Sequence, residues 1–184
     1  WHGHDDYVTL PHVPGHELAG VVVEAGPDVR AWQAGDVVTV PFVMACGTCT
    51  TCRAGDQQVC PHQTQPGFTQ WGSFADLVAL YHADTNLVRV PEGMSPVAAA
   101  ALGCRFATSY RAVTVHAAVR RDDEVVVLGC GGVGLSAVMV AAAAGAHVVA
   151  VDPSPGARRA AHDAGAHVTL DPGDDDPAAL AARL

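Results

Sequence analysis

Apolar residues in the first part of the chain come in short runs that glycine, proline and charged residues interrupt. Runs of this kind, bounded by turn residues, are typical of β-strands. We therefore predict a β-rich segment with strands at 18–23, 37–40, 74–80 and 87–90, the first of them starting near His16. Ser-Pro followed by alanines predicts a capped helix at 95–102, and 108–119 is a second helix candidate.

The hydrophobic pattern changes after Asp123, where a continuous apolar strand and a long alanine-rich helix are predicted on either side of a glycine-rich turn. The same order then repeats, with a strand at 147–151, a helix at 155–164, a strand at 167–170 and the start of a helix at 177–184. Strands that alternate with helices favour a parallel sheet. We therefore predict two domains, at 1–120 and 121–184.

The glycine-rich turn has the sequence Gly129-Cys130-Gly131-Gly132-Val133-Gly134 and follows the strand at 124–128. In this position the pattern is typical of dinucleotide binding, because the glycines let the backbone approach a pyrophosphate at the helix N-terminus. Asp152, at the end of the next strand, is expected to accept the ribose hydroxyls. A carboxylate there repels a 2′-phosphate, so we predict NAD rather than NADP. A packing turn without a ligand is the alternative.

Four of the six cysteines lie in one short stretch, at Cys46, Cys49, Cys52 and Cys60. The C-x2-C-x2-C-x7-C spacing lets one loop offer four thiolates to a tetrahedral metal, for which zinc is expected. A closed four-sulfur site has no open coordination position, so we predict a structural zinc rather than a catalytic one. Disulfides are the alternative, although cysteines three residues apart rarely reach bridging geometry in a tight loop.

A second, open metal site is suggested by an imidazole and a carboxylate at His16 and Glu17 and by the thiol of Cys104. Adjacent strand residues point to opposite faces, so we expect His16 to bind the metal directly and Glu17 to be a nearby or alternating group. The alternative is a hydrogen-bonding pair at the start of a strand and a core cysteine.

Composition and charge narrow the possible partners. The 184 residues are 49% hydrophobic and 16% charged and carry a formal net charge of −9. An acidic chain without a Lys/Arg cluster does not favour nucleic-acid binding. The longest apolar run, near 135–144, is too short to span a bilayer, and the N-terminus lacks the layout of a signal peptide. We expect a cytoplasmic protein without nucleic-acid or membrane partners.

Together these motifs resemble the zinc-dependent alcohol dehydrogenases of the medium-chain dehydrogenase/reductase family. Gly15-His16-Glu17-Leu-Ala-Gly20, followed by Gly26 and Val29, looks like that family's zinc signature, and the stretch 46–60 matches its structural-zinc lobe. The resemblance implies a partial GroES-like β-rich catalytic domain followed by the first half of a Rossmann doubly wound parallel sheet. It also implies catalytic-zinc roles for His16 and Cys104, with Glu17 beside the metal, and places Thr108 near the nicotinamide.

The function that the resemblance implies is hydride transfer between an alcohol, or its aldehyde or ketone product, and NAD, with one catalytic and one structural Zn²⁺. We expect a small-molecule substrate and a homo-oligomer at full length. The family's first zinc-binding cysteine and the hydroxyl residue beside it would lie upstream of Trp1, so we expect little or no turnover from these residues alone. A polyol- or threonine-dehydrogenase relative and a non-catalytic zinc-braced binding module are the alternatives.

Overall fold

The computed structural model describes residues 8–173, which fall into two compact units that divide between Cys104 and Arg105. The units divide before residue 120 because Phe106 and Val113 pack into the same core as the parallel sheet. The boundary that the sequence predicts between two domains, after residue 120, stays a prediction.

An antiparallel three-stranded sheet organises the first unit, in the order β1 (Ala19–Val21), β2 (Val37–Thr39) and β3 (Val88–Arg89). Four short helical segments accompany it: α1 (Thr50–Arg53), a 3₁₀ turn (Gln57–Val59), α2 (Ala83–Asn86) and α3 (Pro96–Ala100). The predicted cap of α3 is confirmed, since the Ser95 side chain accepts the N–H of Ala98 and Pro96 occupies the first turn. Leu18, Val40 and Met44 form the buried core beside the sheet.

The predicted strand at 74–80 is wrong. Val78 and Leu80 do pack against the core, so the apolar alternation reports burial, but the backbone forms bends and irregular structure. The N–H groups of Ser73 and Phe74 donate to loop carbonyls rather than to a neighbouring strand. The first strand is also shorter than predicted, because regular pairing begins at Ala19 and not near His16.

The second unit opens with α4 (Ala107–Arg111), which lies between two π-helical segments, Leu102–Phe106 and Ala112–His116. The division between the units falls inside the first of these segments. The helix predicted at 108–119 therefore begins one residue early and changes hydrogen-bonding pattern before it ends at His116.

A parallel sheet follows, with β4 (Glu124–Leu128), β5 (His147–Val151) and β6 (Val168–Leu170) in that order. Its helices are α5 (Gly132–Ala143) and α6 (Pro155–Asp163), so the predicted alternation is confirmed. The register pairs Glu124 with His147, and among residues 8–173 β4 pairs with β5 alone. The helix predicted at 177–184 lies outside the described residues.

The core of the second unit lies between the parallel sheet and its helices. It is built from small and β-branched residues such as Val138 of α5, Val148 of β5 and Ala161 of α6, all of which are fully buried. In the part of the chain that the structure describes, no helix has the length and hydrophobicity needed to cross a bilayer.

Candidate functional site

The four clustered cysteines, here called the cysteine lobe, converge around α1 and the 3₁₀ turn. Their sulfurs all lie within 4.8 Å of one another, with Cys46 and Cys60 3.6 Å apart and Cys46–Cys52 and Cys49–Cys60 each 3.9 Å apart. A zinc–sulfur bond of about 2.3 Å places tetrahedral sulfurs about 3.8 Å apart, so the lobe fits this metal. All four are free thiols, which does not support the disulfide alternative.

Backbone N–H groups in the lobe favour negative charge on two of its sulfurs. Hydrogen bonding from the backbone of Thr48 is the main cause that lowers the pKa of Cys46 to about 5. The N–H of Cys52 lies 3.4 Å from the sulfur of Cys49 and lowers the pKa of that thiol. Burial raises the pKa of Cys52 to about 12. Gathering four thiolates therefore requires a cation that offsets their charge.

Asn86, at the end of α2, holds the chain just before the lobe. Its side-chain oxygen accepts the N–H of Ala45 at 2.8 Å, and its side-chain nitrogen donates to the Ala45 carbonyl at 2.9 Å and the His82 carbonyl at 3.0 Å. Asn86 is only 4% exposed. This positioning residue was missed by sequence reasoning, because a lone asparagine in a polar stretch carries no spacing signal.

His16, Glu17 and Cys104, here called the His16 cluster, are brought together in the first unit. Their ligand atoms all lie within 4.8 Å of one another, and each residue is half-buried. Because β1 begins only at Ala19, His16 and Glu17 lie in irregular backbone and the strand-alternation argument that separated their side chains does not apply. The structure therefore places all three predicted residues in one cluster.

Cys104 is positioned by a close crossing of two chain segments. The carbonyl of Gly103 accepts the N–H of Phe42 at 3.0 Å, and a Cβ on Gly103 would overlap the carbonyl oxygen of Val40. The ring of Phe42 in turn lies edge-on to the imidazole of His16, with centroids 6.1 Å apart. The same crossing thus brings both the thiol and an aromatic neighbour to the cluster.

The donor set of the His16 cluster fits zinc. Imidazole nitrogen, thiolate sulfur and carboxylate oxygen are all common zinc ligands, and sites with three protein ligands retain a position for a further ligand. This differs from the cysteine lobe, where four sulfurs complete a tetrahedron. The two clusters therefore have the donor sets of an open and a closed site.

The glycine-rich turn packs closely against the start of α5 and leaves one side of its backbone open. Gly129 has a left-handed φ of 86°, and a Cβ on Gly134 would overlap the Gly129 carbonyl, so the turn and α5 pack closely. A Cβ on Gly131, the N-cap of α5, would meet no atom within 4 Å. The open side of Gly131 at the start of a helix is a place where an anion can approach the backbone.

Two further residues of the second unit, Asp152 and Arg105, contact this turn. The carboxylate of Asp152 accepts the N–H of Cys130 at 2.7 Å and that of Ser154 at 2.8 Å, and the first of these bonds is the main cause that lowers the pKa of Asp152. The Arg105 side chain lies against Gly132, where it would collide with any Cβ.

Helix α4 borders the start of α5 beside this turn. The Ser109 hydroxyl donates to the carbonyl of Val133 at 2.7 Å, which ties α4 to the first turn of α5. Thr108, next to Ser109, has an exposed side chain. Neither Ser109 nor the Arg105 contact was expected from the sequence, because the glycine pattern does not report what packs on it.

Residues 1–92 match the family model of the alcohol dehydrogenase GroES-like domain, and residues 132–184 match that of the zinc-binding dehydrogenases. The chain therefore belongs to the alcohol dehydrogenase family of zinc-binding dehydrogenases. This confirms the family expected from the motifs, and with it a GroES-like domain followed by the start of a Rossmann-type fold.

Individual relatives agree with this assignment. The chain is 37% identical over 169 residues to an alcohol dehydrogenase of Geobacillus stearothermophilus, an overlap of 91% of this chain and 49% of that protein. It is 33% identical over 174 residues to an L-threonine 3-dehydrogenase of Bacillus velezensis, covering 92% and 48% respectively. A crystal structure of an NAD-dependent alcohol dehydrogenase superposes with a TM-score of 0.84 at 34% identity, covering 92% and 49%. The chain thus spans about half the length of these relatives.

Proposed function

We propose that the full-length protein is a zinc-dependent oxidoreductase that transfers a hydride between an alcohol, or its aldehyde or ketone product, and NAD. The observation that carries this proposal is the convergence of His16, Glu17 and Cys104 from opposite ends of one unit. Such a cluster in a chain that also holds a closed four-sulfur lobe supports two zinc ions with separate roles.

In this proposal His16 and Cys104 hold the catalytic zinc and Glu17 lies beside it. An imidazole in place of thiolate donors leaves less negative charge around the ion than four thiolates do, so the ion remains a stronger Lewis acid. Bound in the His16 cluster, zinc would supply Lewis acidity toward an alcohol oxygen, and NAD would accept the hydride. Cys46, Cys49, Cys52 and Cys60 brace the first unit through the structural zinc.

The cofactor is assigned to the glycine-rich turn. Gly129, Gly131 and Gly134 shape the backbone that faces the pyrophosphate, and Gly132 and Val133 begin the helix whose N-terminus attracts it. The guanidinium of Arg105 adds positive charge beside Gly132, at the end of α5 that favours anions. The lowered pKa of Asp152 keeps its carboxylate charged, and each oxygen can still accept a ribose hydroxyl. Thr108 is assigned to the nicotinamide end.

Titration calorimetry of the full-length protein with NAD tests the cofactor assignment. Gly131→Ala should fold normally, because its Cβ meets no protein atom, yet bind NAD at least about 10-fold more weakly because the methyl group obstructs the pyrophosphate. Asp152→Ala should also bind NAD about 10-fold more weakly, and its preference over NADP should shrink. Asp163→Ala, an exposed acid on α6, is the matched control and should bind normally. Wild-type affinity in both test variants would refute the assignment.

If the protein is an enzyme with a different substrate, the alternative is a polyol or threonine dehydrogenase. The similarity to an L-threonine 3-dehydrogenase supports this alternative. Initial rates of NADH formation with a primary alcohol, a polyol and L-threonine distinguish these substrates. A non-catalytic zinc-braced binding module is the second alternative, and it predicts no NAD binding by a folded protein. We also propose, from family membership, a cytoplasmic homo-oligomer without nucleic-acid or membrane partners.

The 184 residues alone are proposed to show little or no turnover. The chain spans about half the length of its relatives, and among the described residues only His16 and Cys104 are proposed as direct ligands of the catalytic zinc. Alcohol-dependent NADH production by the purified chain at ordinary enzyme rates would overturn this part of the proposal.

A further inference from the structure

The loop 65–74 crosses the backbone immediately before His16. Three consecutive carbonyls on one side of this crossing accept three consecutive N–H groups on the other: Val13 from Gly72 at 2.7 Å, Gly15 from Ser73 at 3.0 Å and Pro14 from Phe74 at 3.0 Å. The segment that leads into the His16 cluster is therefore fixed by this loop rather than by the sheet, which begins only at Ala19.

The crossing is so close that it requires glycine at three positions. A Cβ on Gly72 would overlap the carbonyl oxygen of Gly15, and a Cβ on Gly67 would lie 2.6 Å from both the nitrogen and the oxygen of Gly15. Gly15 and Gly67 also have left-handed φ angles of 106° and 77°. A side chain at either loop glycine would therefore displace the backbone of Gly15.

The same loop also touches the imidazole itself. The ring of Phe68 lies 5.2 Å from that of His16 with an interplanar angle of 46°, a common arrangement for aromatic pairs. The loop is anchored by His12, whose Nε2 lies 2.8 Å from the carbonyl oxygen of Gly67 and donates to it. Residues 65–74 thus contact both the backbone that leads into His16 and the ring of His16.

We propose that this loop positions His16 as a metal ligand, with Gly67 and Gly72 as positioning residues. The inference rests on the proposed zinc role of His16. Metal–ligand distances tolerate only about 0.2 Å, so a backbone shift that relieves a clash at Gly15 would carry the imidazole out of bonding distance of a metal held by Cys104. The cysteine lobe, whose ligands begin at Cys46, does not depend on this crossing.

The test uses the full-length protein with Co²⁺ as the probe, because tetrahedral cobalt sites absorb visible light and those with thiolate ligands can be told apart by their spectra. Cys104→Ala identifies the signal of the His16 cluster. Gly67→Ala should weaken Co²⁺ binding at that cluster at least about 10-fold and leave the lobe signal unchanged. Gly93→Ala is the matched control, since its φ of 84° is equally left-handed but its Cβ would meet no atom within 4 Å. Gly93→Ala should bind Co²⁺ at both the His16 cluster and the cysteine lobe with wild-type affinity.

The outcomes distinguish a failure of the positioning role from a failure of the proposed zinc role of His16. Wild-type cobalt affinity at both sites of Gly67→Ala would overturn the positioning role while leaving the zinc role of His16 intact. Cobalt binding by the wild type that Cys104→Ala does not alter would refute the zinc role itself, and the inference with it. If Gly67→Ala does not fold, His12→Ala decides, because it removes the hydrogen bond to the Gly67 carbonyl without placing a Cβ at the crossing. Several-fold weaker binding at the His16 cluster supports the inference, and unchanged binding overturns it.

Discussion

The cysteine lobe and the His16 cluster lie in the same unit and offer similar donors, but they are assembled in different ways. The lobe takes all its ligands from residues 46–60, within one loop. The His16 cluster takes two adjacent residues from near one end of the unit and Cys104 from the other. The first site is therefore a property of local spacing, and the second is a property of the fold of the whole unit.

This difference sets what each metal is expected to contribute. A metal in the lobe closes a loop and offsets the combined negative charge of its four sulfurs, so it stabilises the fold directly. A metal in the His16 cluster binds where the fold has already placed its ligands. Changes in the lobe should therefore cost stability, whereas changes in the cluster should cost metal affinity and activity.

The largest effect is expected from removing one ligand of the lobe. Cys60→Ser should lose the structural metal and lower the melting temperature of the full-length protein by on the order of 10 °C or more, because the metal's binding energy contributes to folding. Cys104→Ser should lose one metal per protein molecule and nearly all activity with little change in melting temperature. Calorimetric melting and metal analysis of both variants make the measurement. Equal destabilisation by the two substitutions would remove the distinction between the sites.

A smaller effect is expected from substituting Asn86, whose side chain holds the backbone just before the lobe. Asn86→Ala leaves the buried N–H and carbonyl of Ala45 without their partner, which should lower the free energy of unfolding by about 2 kcal/mol. Zinc affinity of the lobe should fall about 10-fold, and the His16 cluster should be unaffected. Denaturant unfolding and competition with a chelator measure the two quantities. Asn86→Asp is a useful companion, since it restores only the acceptor and should recover only part of the loss.

Chelator treatment should distinguish the sites with still less effect on stability. An open coordination position gives a chelator a point of attack, so the metal of the His16 cluster should leave at least about 10-fold faster than that of the lobe. Activity should disappear with this first metal while the unfolding transition scarcely moves. Release of both metals at one rate would contradict the assignment of one open and one closed site.

The smallest effect is expected at an ion pair that belongs to neither site. The Arg89 side chain donates to the carboxylate of Asp36 at 2.6 Å and is the main cause that lowers the pKa of Asp36. The folded-state pKa is below the unfolded value, so this stabilisation is present above about pH 4 and is lost as the pH falls through the folded pKa. Asp36→Asn should melt slightly below the wild type at pH 7, and the gap should close on acidification. If the difference in melting temperature between Asp36→Asn and the wild type grew toward low pH, the sign of the pKa shift would be contradicted. The metal content of Asp36→Asn should equal that of the wild type.

The sequence predicted the lobe and the parallel sheet well because both are encoded locally. Cysteine spacing alone identifies the four sulfurs, and continuous apolar runs identify β4 and β5 with their correct bounds. The segment 74–80 was mispredicted because its alternation reports burial, whereas the partners of the Ser73 and Phe74 N–H groups depend on a distant loop. The proximity of Glu17 to Cys104 and the hydrogen bonds between Asn86 and Ala45 also join residues that are far apart in the sequence. No rule of residue spacing predicts such contacts.

The most direct test of two metal sites with different construction is a crystal structure of the full-length protein with anomalous data at the zinc edge. We expect two peaks, one bonded to the sulfurs of Cys46, Cys49, Cys52 and Cys60 at about 2.3 Å and one bonded to His16 and Cys104. A single peak, or a second peak away from His16 and Cys104, would contradict the presence of these two sites.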